Sequence, residues 1–150
     1  MIKQILPIFL LAIISFSFNK VDTQEGASKD SLITVVFNDV NYKVVGKVKK
    51  GKASFYSLKF EGRKTATGST FSHKNYTAAS NSFPLGTYVL VTNPKNKQFV
   101  VVKINDRMSK SMSKKGRIVD LTRLAAKDLG IFKHGIGLVL VQKVQKVPIK

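Results

Sequence analysis

The sequence predicts a small all-β protein closed into a barrel, with one short helix. Three observations carry that reading. Beyond Lys47 the chain breaks into short runs rich in β-branched and aromatic residues, separated by turn residues such as Gly, Pro, Asn and Ser. One run, Phe99-Val100-Val101-Val102-Lys103-Ile104, is apolar at nearly every position, as expected of a strand covered on both faces. A chain of 150 residues with 43% apolar content can bury one core and is too short for two ordinary domains.

The elements follow in order. Residues 1–18 read as an export signal: Lys3 supplies the positive start, Ile5 to Phe18 is nearly unbroken apolar sequence, and Ser15-x-Ser17 offers a small-x-small cleavage site. That apolar run extends roughly 21 Å at about 1.5 Å per residue, short of a bilayer core of about 30 Å, which favours a cleaved signal over an anchor. Residues 19–46 form a polar linker, Asn19 to Ser31, and a β-rich lead-in, Leu32 to Phe37 and Val40 to Val45, flanking an Asn38-Asp39 hairpin turn. Residues 47–150 form the barrel domain, with strands at Ala53 to Ser57, Thr87 to Thr92, Gln98 to Asn105 and Gly137 to Val144. Asn93-Pro94-Lys95-Asn96 is a turn, because Pro presets φ and Asn tolerates left-handed geometry. Met108 to Gly116 reads as a Ser/Lys-rich loop. The helix spans about Thr122 to Leu129, with Asp120 or Thr122 as cap and Gly130 just beyond its end.

Charge and cysteine usage narrow the function. The chain has no cysteine, so disulfides, thiolate metal sites and a lipid-modified N-terminal cysteine are excluded, and the mature protein is expected to be soluble. A net charge of +18 points to an acidic partner. Nucleic acid is the common partner of such charge, but an export signal places the protein in the periplasm or cell envelope, among anionic envelope polymers. His134 stands in Lys-His-Gly with no partner at metal-ligand spacing, so neither a metal nor a cofactor is expected.

Three stretches carry the motifs. The first runs from Gly51-Lys52-Ala53-Ser54-Phe55-Tyr56 through Phe60-Glu61-Gly62-Arg63-Lys64-Thr65-Ala66-Thr67-Gly68. The second is Tyr76-Thr77-Ala78-Ala79-Ser80 with Phe83-Pro84-Leu85-Gly86-Thr87. The third is Val102-Lys103-Ile104-Asn105-Asp106-Arg107 with Gly116-Arg117-Ile118-Val119-Asp120-Leu121-Thr122. Together, in this order and spacing from about Gly51 to Val144, they resemble the rare lipoprotein A (RlpA) family. The resemblance implies a double-psi β-barrel, here expected to be six-stranded, and a lytic transglycosylase activity on the glycan strands of peptidoglycan; the chain is expected to be a monomer. Such chemistry needs a carboxylic acid that protonates the glycosidic oxygen and, as a carboxylate, takes the proton of the sugar's own 6-hydroxyl.

Asp106 matches the family's catalytic aspartate; its structural alternative is a strand-end turn or an ion pair with Arg107 or Lys103. Thr77, Lys103, Asn105 and Arg107 are candidate substrate contacts by their place in the matched motifs, and Tyr56 is a candidate sugar-stacking platform. Two positions depart from the family: its glutamate and histidine are replaced by Ser69 and Ser80, which can hydrogen-bond a sugar but supply neither acid nor base. Glu61 and His73 lie near these positions in sequence and read more naturally as surface residues. The family's Gly-Pro after Asn-Asp-Arg is replaced by Met108-Ser109. Asp120 reads as structural, an acid at a helix start. Three functions follow: an active transglycosylase using Asp106, a catalytically degenerate wall-binding or wall-loosening protein, and a protein that docks on another envelope component.

Overall fold

The computed structural model describes residues 33–148. The expected export signal and polar linker lie outside the described residues. Among the described residues there are eight strands: β1 (Thr34–Phe37), β2 (Val40–Val44), β3 (Lys49–Phe55), β4 (Thr77–Ala79), β5 (Tyr88–Thr92), β6 (Phe99–Asp106), β7 (Arg117–Leu121) and β8 (Gly137–Lys146). Two short helices, α1 (Lys110–Lys114) and α2 (Arg123–Asp128), flank β7, and a single 3-10 turn covers Leu58–Phe60. The strand order is β1-β2-β8-β3-β7-β4-β6-β5, and β5 pairs back onto β8, so six strands close a barrel with the β1–β2 hairpin attached through β8. The pairs β3/β7 and β4/β6 are parallel and the rest antiparallel. This is the double-psi barrel that the motifs imply.

The barrel interior is filled by Val89, Val91, Val100, Val102, Ile104, Val119, Leu121, Val139 and Val141, all fully buried. Each such side chain contributes about 1.5–3 kcal/mol relative to exposure. On the outer face, Val35 and Tyr42 of the hairpin pack onto Leu90, Val101 and Val144. That second layer explains why β6 is apolar at consecutive positions: Val100 and Val102 face in, and Val101 faces out under the hairpin. The hairpin turn is tight because Asn38 and Asp39 both adopt positive φ, 47° and 59°, the geometry that matches strand twist.

Several boundaries differ from the sequence reading. The strand expected at Ala53 to Ser57 runs over Lys49–Phe55 instead. Its Lys-rich first half is a poor strand former by composition and is held by antiparallel pairing of Lys49–Ala53 with β8. β4 and β7 were not expected from strand propensity, and part of the expected Ser/Lys-rich loop forms α1. The helix is capped by Thr122, whose hydroxyl accepts from Ala125 N, while Gly130 follows it at φ 75°. Asp120 is therefore not a cap; it lies inside β7. Among the described residues no helix is long and apolar enough to cross a membrane.

Candidate active site

The site forms on the outer face of the barrel, where β3, β7, β4 and β6 lie side by side. Strand alternation assigns faces: Ala53, Ala78 and Leu121 point into the core, so Ser54, Ala79 and Asp120 point out. On β6 a bulge sets the chemistry. Ala78 pairs with Ile104 but Ala79 pairs with Asp106, leaving Asn105 as the extra residue. Without that insertion Asp106, three residues beyond outward-facing Lys103, would point inward; the bulge returns it to the outer face.

Three donors converge on Asp106. The Tyr56 hydroxyl donates to Oδ2 at 2.8 Å, and the backbone N–H groups of Ala66 and Arg107 donate to Oδ1, each at 2.9 Å. Donors from Tyr56 and Ala66 lie 50 and 40 residues away in sequence, so the carboxylate is held by the assembled fold. The Tyr56 phenol stays protonated far above its usual range, first because it is buried and then because its hydroxyl faces the Asp106 carboxylate. It is a fixed donor, not a proton carrier.

The segment that carries Ala66 docks on the end of β6. Thr67 N donates to Asn105 O at 3.2 Å, and Asn105 Nδ2 reaches Ser69 Oγ at 3.5 Å. Ser69 Oγ in turn meets the hydroxyls of Thr65 (2.8 Å) and Thr67 (3.1 Å). Gly68 closes this turn at φ 80°, a conformation that favours glycine. The exposed Ser69 thus stands in a hydroxyl cluster beside Asp106.

A second carboxyl faces the same side. Asp120 and Asp106 are both register partners of Ala79, one from each flanking strand, which sets their Cα atoms roughly 9.5 Å apart at about 4.8 Å per strand. Ser54 donates to Asp120 Oδ1 at 2.7 Å. Ser54 and Tyr56, two residues apart on and just after β3, therefore each hold one carboxyl. Burial pushes the Asp120 carboxyl above the ordinary range, against the pull of Ser54 and Arg117, and the Asp106 charge adds to the rise. Its native form binds a proton more readily than its unfolded form, so stability is full at low pH and falls as pH rises through the native pKa. Asp120→Asn is expected to flatten that decline: thermal melting should show the variant gaining on the wild type from acidic towards neutral pH. Parallel melting curves of pH against Tm would contradict the reading.

The structure sorts the sequence-derived candidates. Tyr56, Ser69 and Asn105 gather around Asp106. Tyr56 is not an open stacking platform; its ring is buried against Phe71 and Phe60, at centroid distances of 4.4 and 5.4 Å. Ser80 is 0% exposed, donates to Ile118 O at 2.7 Å and accepts from Ser82 N, so it has no free face for a sugar. Arg107 neither pairs with Asp106 nor reaches into the cleft through Nη1, which donates to Ser80 O and, at 2.7 Å, to Phe83 O, bracing the segment between β4 and β5. Thr77 and Lys103 are register partners one row away from Asp106, and Lys103 Nζ lies 5.9 Å from the Tyr88 ring. Glu61 accepts from His73 N, which lowers its carboxyl below the ordinary range. Met108, at the family's Gly-Pro, is pinned by Asn81, which donates to its carbonyl and accepts from its N–H, and its side chain fills the cluster under Tyr56. Sequence reasoning missed Ser54 and Asp120 as site neighbours, since only the register across β4 brings them beside Asp106. Among the described residues no group of three or more potential metal-ligating His, Cys, Asp or Glu side chains occurs.

Comparison with known proteins fits this geometry. The chain is 48% identical over 100 residues to the endolytic peptidoglycan transglycosylase RlpA of Pasteurella multocida, covering 67% of this chain and 33% of that one. It is 44% identical over 101 residues to the probable endolytic peptidoglycan transglycosylase RlpA of Synechocystis, covering 67% and 30%. The chain thus spans about a third of the length of the curated relatives it matches. Among solved structures, the apo expansin of Clavibacter michiganensis superposes with a TM-score of 0.50 at 24% identity, covering 69% of this chain and 53% of that one. The Streptomyces papain inhibitor gives 0.51 at 21%, covering 67% and 96%. These two share the fold. Residues 48–141, which hold the whole barrel up to the closing half of β8 and every residue around Asp106, match the lytic transglycolase family, and the chain belongs to it.

Proposed function

We propose that the protein binds peptidoglycan glycan strands in the cell envelope and cleaves them as a lytic transglycosylase, with Asp106 as the reacting carboxyl. The observation that carries this reading is the placement of Asp106 on the outer face by a bulge, fixed by Tyr56, Ala66 and Arg107 beside an exposed hydroxyl cluster. In its acid form Asp106 gives a proton to the glycosidic oxygen as the bond from C1 to that oxygen breaks. As a carboxylate it then takes the proton from the 6-hydroxyl of the same sugar while O6 bonds to C1, so that no water is consumed. Tyr56 and the two N–H groups keep the carboxyl aimed through both steps, which limits the geometry that must be found on each turnover. The relatives named as endolytic peptidoglycan transglycosylases support the same substrate.

A second reading is favoured by one observation: the family's glutamate and histidine are here Ser69, in a hydroxyl cluster, and Ser80, buried within the fold. A protein that holds glycan without cutting it would keep the cleft and lose these groups. Incubating the chain with sacculi and analysing the soluble fraction by mass spectrometry separates the two. Released fragments ending in 1,6-anhydromuramic acid support transglycosylation; retention on sacculi with no such ends supports the binding reading.

A further inference from the structure

Where the start of β5 meets the end of β8 a groove of about 450 Å³ opens, lined by Leu85 to Tyr88 on one side and Lys143 to Lys146 on the other. It lies apart from the Asp106 cluster but on the same outer face. Tyr88 pairs across the sheet with Lys103 on β6 and Val144 on β8, and Lys103 pairs with Thr77 on β4. A single cross-strand row therefore joins the groove to the active face. The register partners of Lys103 and Asp106, Thr77 and Ala79, are two residues apart on β4, so the bulge brings the two side chains' strand positions to roughly 7 Å at about 3.3 Å per residue.

Two ammonium groups share the Tyr88 ring: Lys146 Nζ is 4.7 Å from its centroid and Lys103 Nζ 5.9 Å. Lysines on a surface usually sample many rotamers, and ordering them for a ligand costs binding energy. Here the ring holds two of them beforehand. Four of the five carboxylates among the described residues are engaged elsewhere: Glu61 with His73 N, Asp106 with Tyr56, Asp120 with Ser54 and Asp128 with Tyr76. Asp39, the fifth, lies in the hairpin turn. The groove edge thus presents preorganised positive charge: Lys146 lines the groove and Lys103 reaches the same ring from β6.

We propose that the Tyr88 edge of this groove is an anion subsite of the glycan cleft, in which Lys146 on the groove wall and Lys103 beside it, gathered on Tyr88, receive the carboxylate on the lactyl arm of a muramyl residue of the strand held at Asp106. The proposal rests on the glycan-strand reading above and adds to it a contact with the strand's own charge. Glycan strands carry such a carboxylate at every second sugar when the arm is free, so a strand lying across Asp106 presents its own anionic group to the lysine pair.

The test is a calorimetric titration of the chain and of a Lys103→Gln/Lys146→Gln variant with three oligosaccharides. These are a muramyl-containing strand with free lactyl carboxylates, the same strand with those carboxyls capped as methylamides, and an N-acetylglucosamine oligomer without the arm. Both lysines are exposed, so circular dichroism is expected to show an unchanged fold. The expected result is at least a tenfold weaker binding of the free-carboxylate strand by the variant, with no change for the capped strand or the arm-free oligomer. Equal losses on all three ligands, or no loss on the first, would overturn the subsite and leave the glycan reading standing. Failure of the unmodified chain to bind any of the three would overturn the glycan reading and the subsite with it.

Discussion

Asp106→Asn is expected to lower the release of anhydromuramyl products from sacculi by about a thousandfold, within the range for losing a general acid/base, while retention on sacculi persists. An asparagine keeps the size of the side chain and one acceptor oxygen, but it can neither give a proton to the glycosidic oxygen nor take one from the 6-hydroxyl. Its amide group would also face one of three groups that all donate, Tyr56 Oη, Ala66 N and Arg107 N. One hydrogen bond is lost and a donor left unmatched, a stability cost of about 1–3 kcal/mol, so the variant should fold. Mass spectrometry of released sugars, with a sacculus pull-down from the same samples, reads both quantities. Product release at the wild-type level would remove Asp106 from the reaction.

What the sequence could and could not disclose follows from where each signal resides. β6 was legible because both its faces are buried, inside by the barrel and outside by the hairpin, which writes an uninterrupted apolar run into the chain. The α2 cap and its closing glycine were legible because helix ends are local features. β4 was not: Thr77–Ala79 is three residues long and contains two alanines, poor strand formers. It is a strand because Ala78 sits between Ile104 and Leu121 in register, where the neighbouring large side chains already fill the core. Asp120 was misread for a related reason. An acid two residues before a helix looks like a cap, and only the pairing of β7 with β4 shows it as a buried carboxyl sharing Ala79 with Asp106. Motif resemblance located Asp106, but the roles of its neighbours depended on contacts made across distant parts of the chain. Ser80 and Arg107 belong to the same motifs and turn out to brace the segment between β4 and β5, since register and burial, not motif membership, decide which side chains remain open to a ligand.

Tyr56 carries the second large effect, and two substitutions separate its parts. Tyr56→Ala removes a buried ring that packs on Phe71, Phe60, Ala79 and Met108, and the void should cost about 3–5 kcal/mol, as for other buried aromatic truncations. That is a large fraction of the stability of a small domain, and a chemical denaturation curve should show the midpoint shifted far down. Tyr56→Phe keeps the ring and the packing and deletes only the hydroxyl that donates to Asp106 Oδ2. A hydrogen bond to a charged group contributes about 1.5–3 kcal/mol to stability, so the denaturation midpoint should fall less than in the alanine variant, while turnover is expected to fall by about ten- to a hundredfold because Asp106 loses one of the three groups that aim it. The split between kcat and KM distinguishes positioning from bulk structure: a donor that only aims Asp106 should lower kcat and leave KM little changed. If Tyr56→Phe left the rate unchanged, the hydroxyl would be a bystander and the orientation of Asp106 would rest on Ala66 N and Arg107 N alone. If the phenylalanine variant lost as much stability as the alanine one, the hydrogen bond would belong to the fold before it belongs to the reaction.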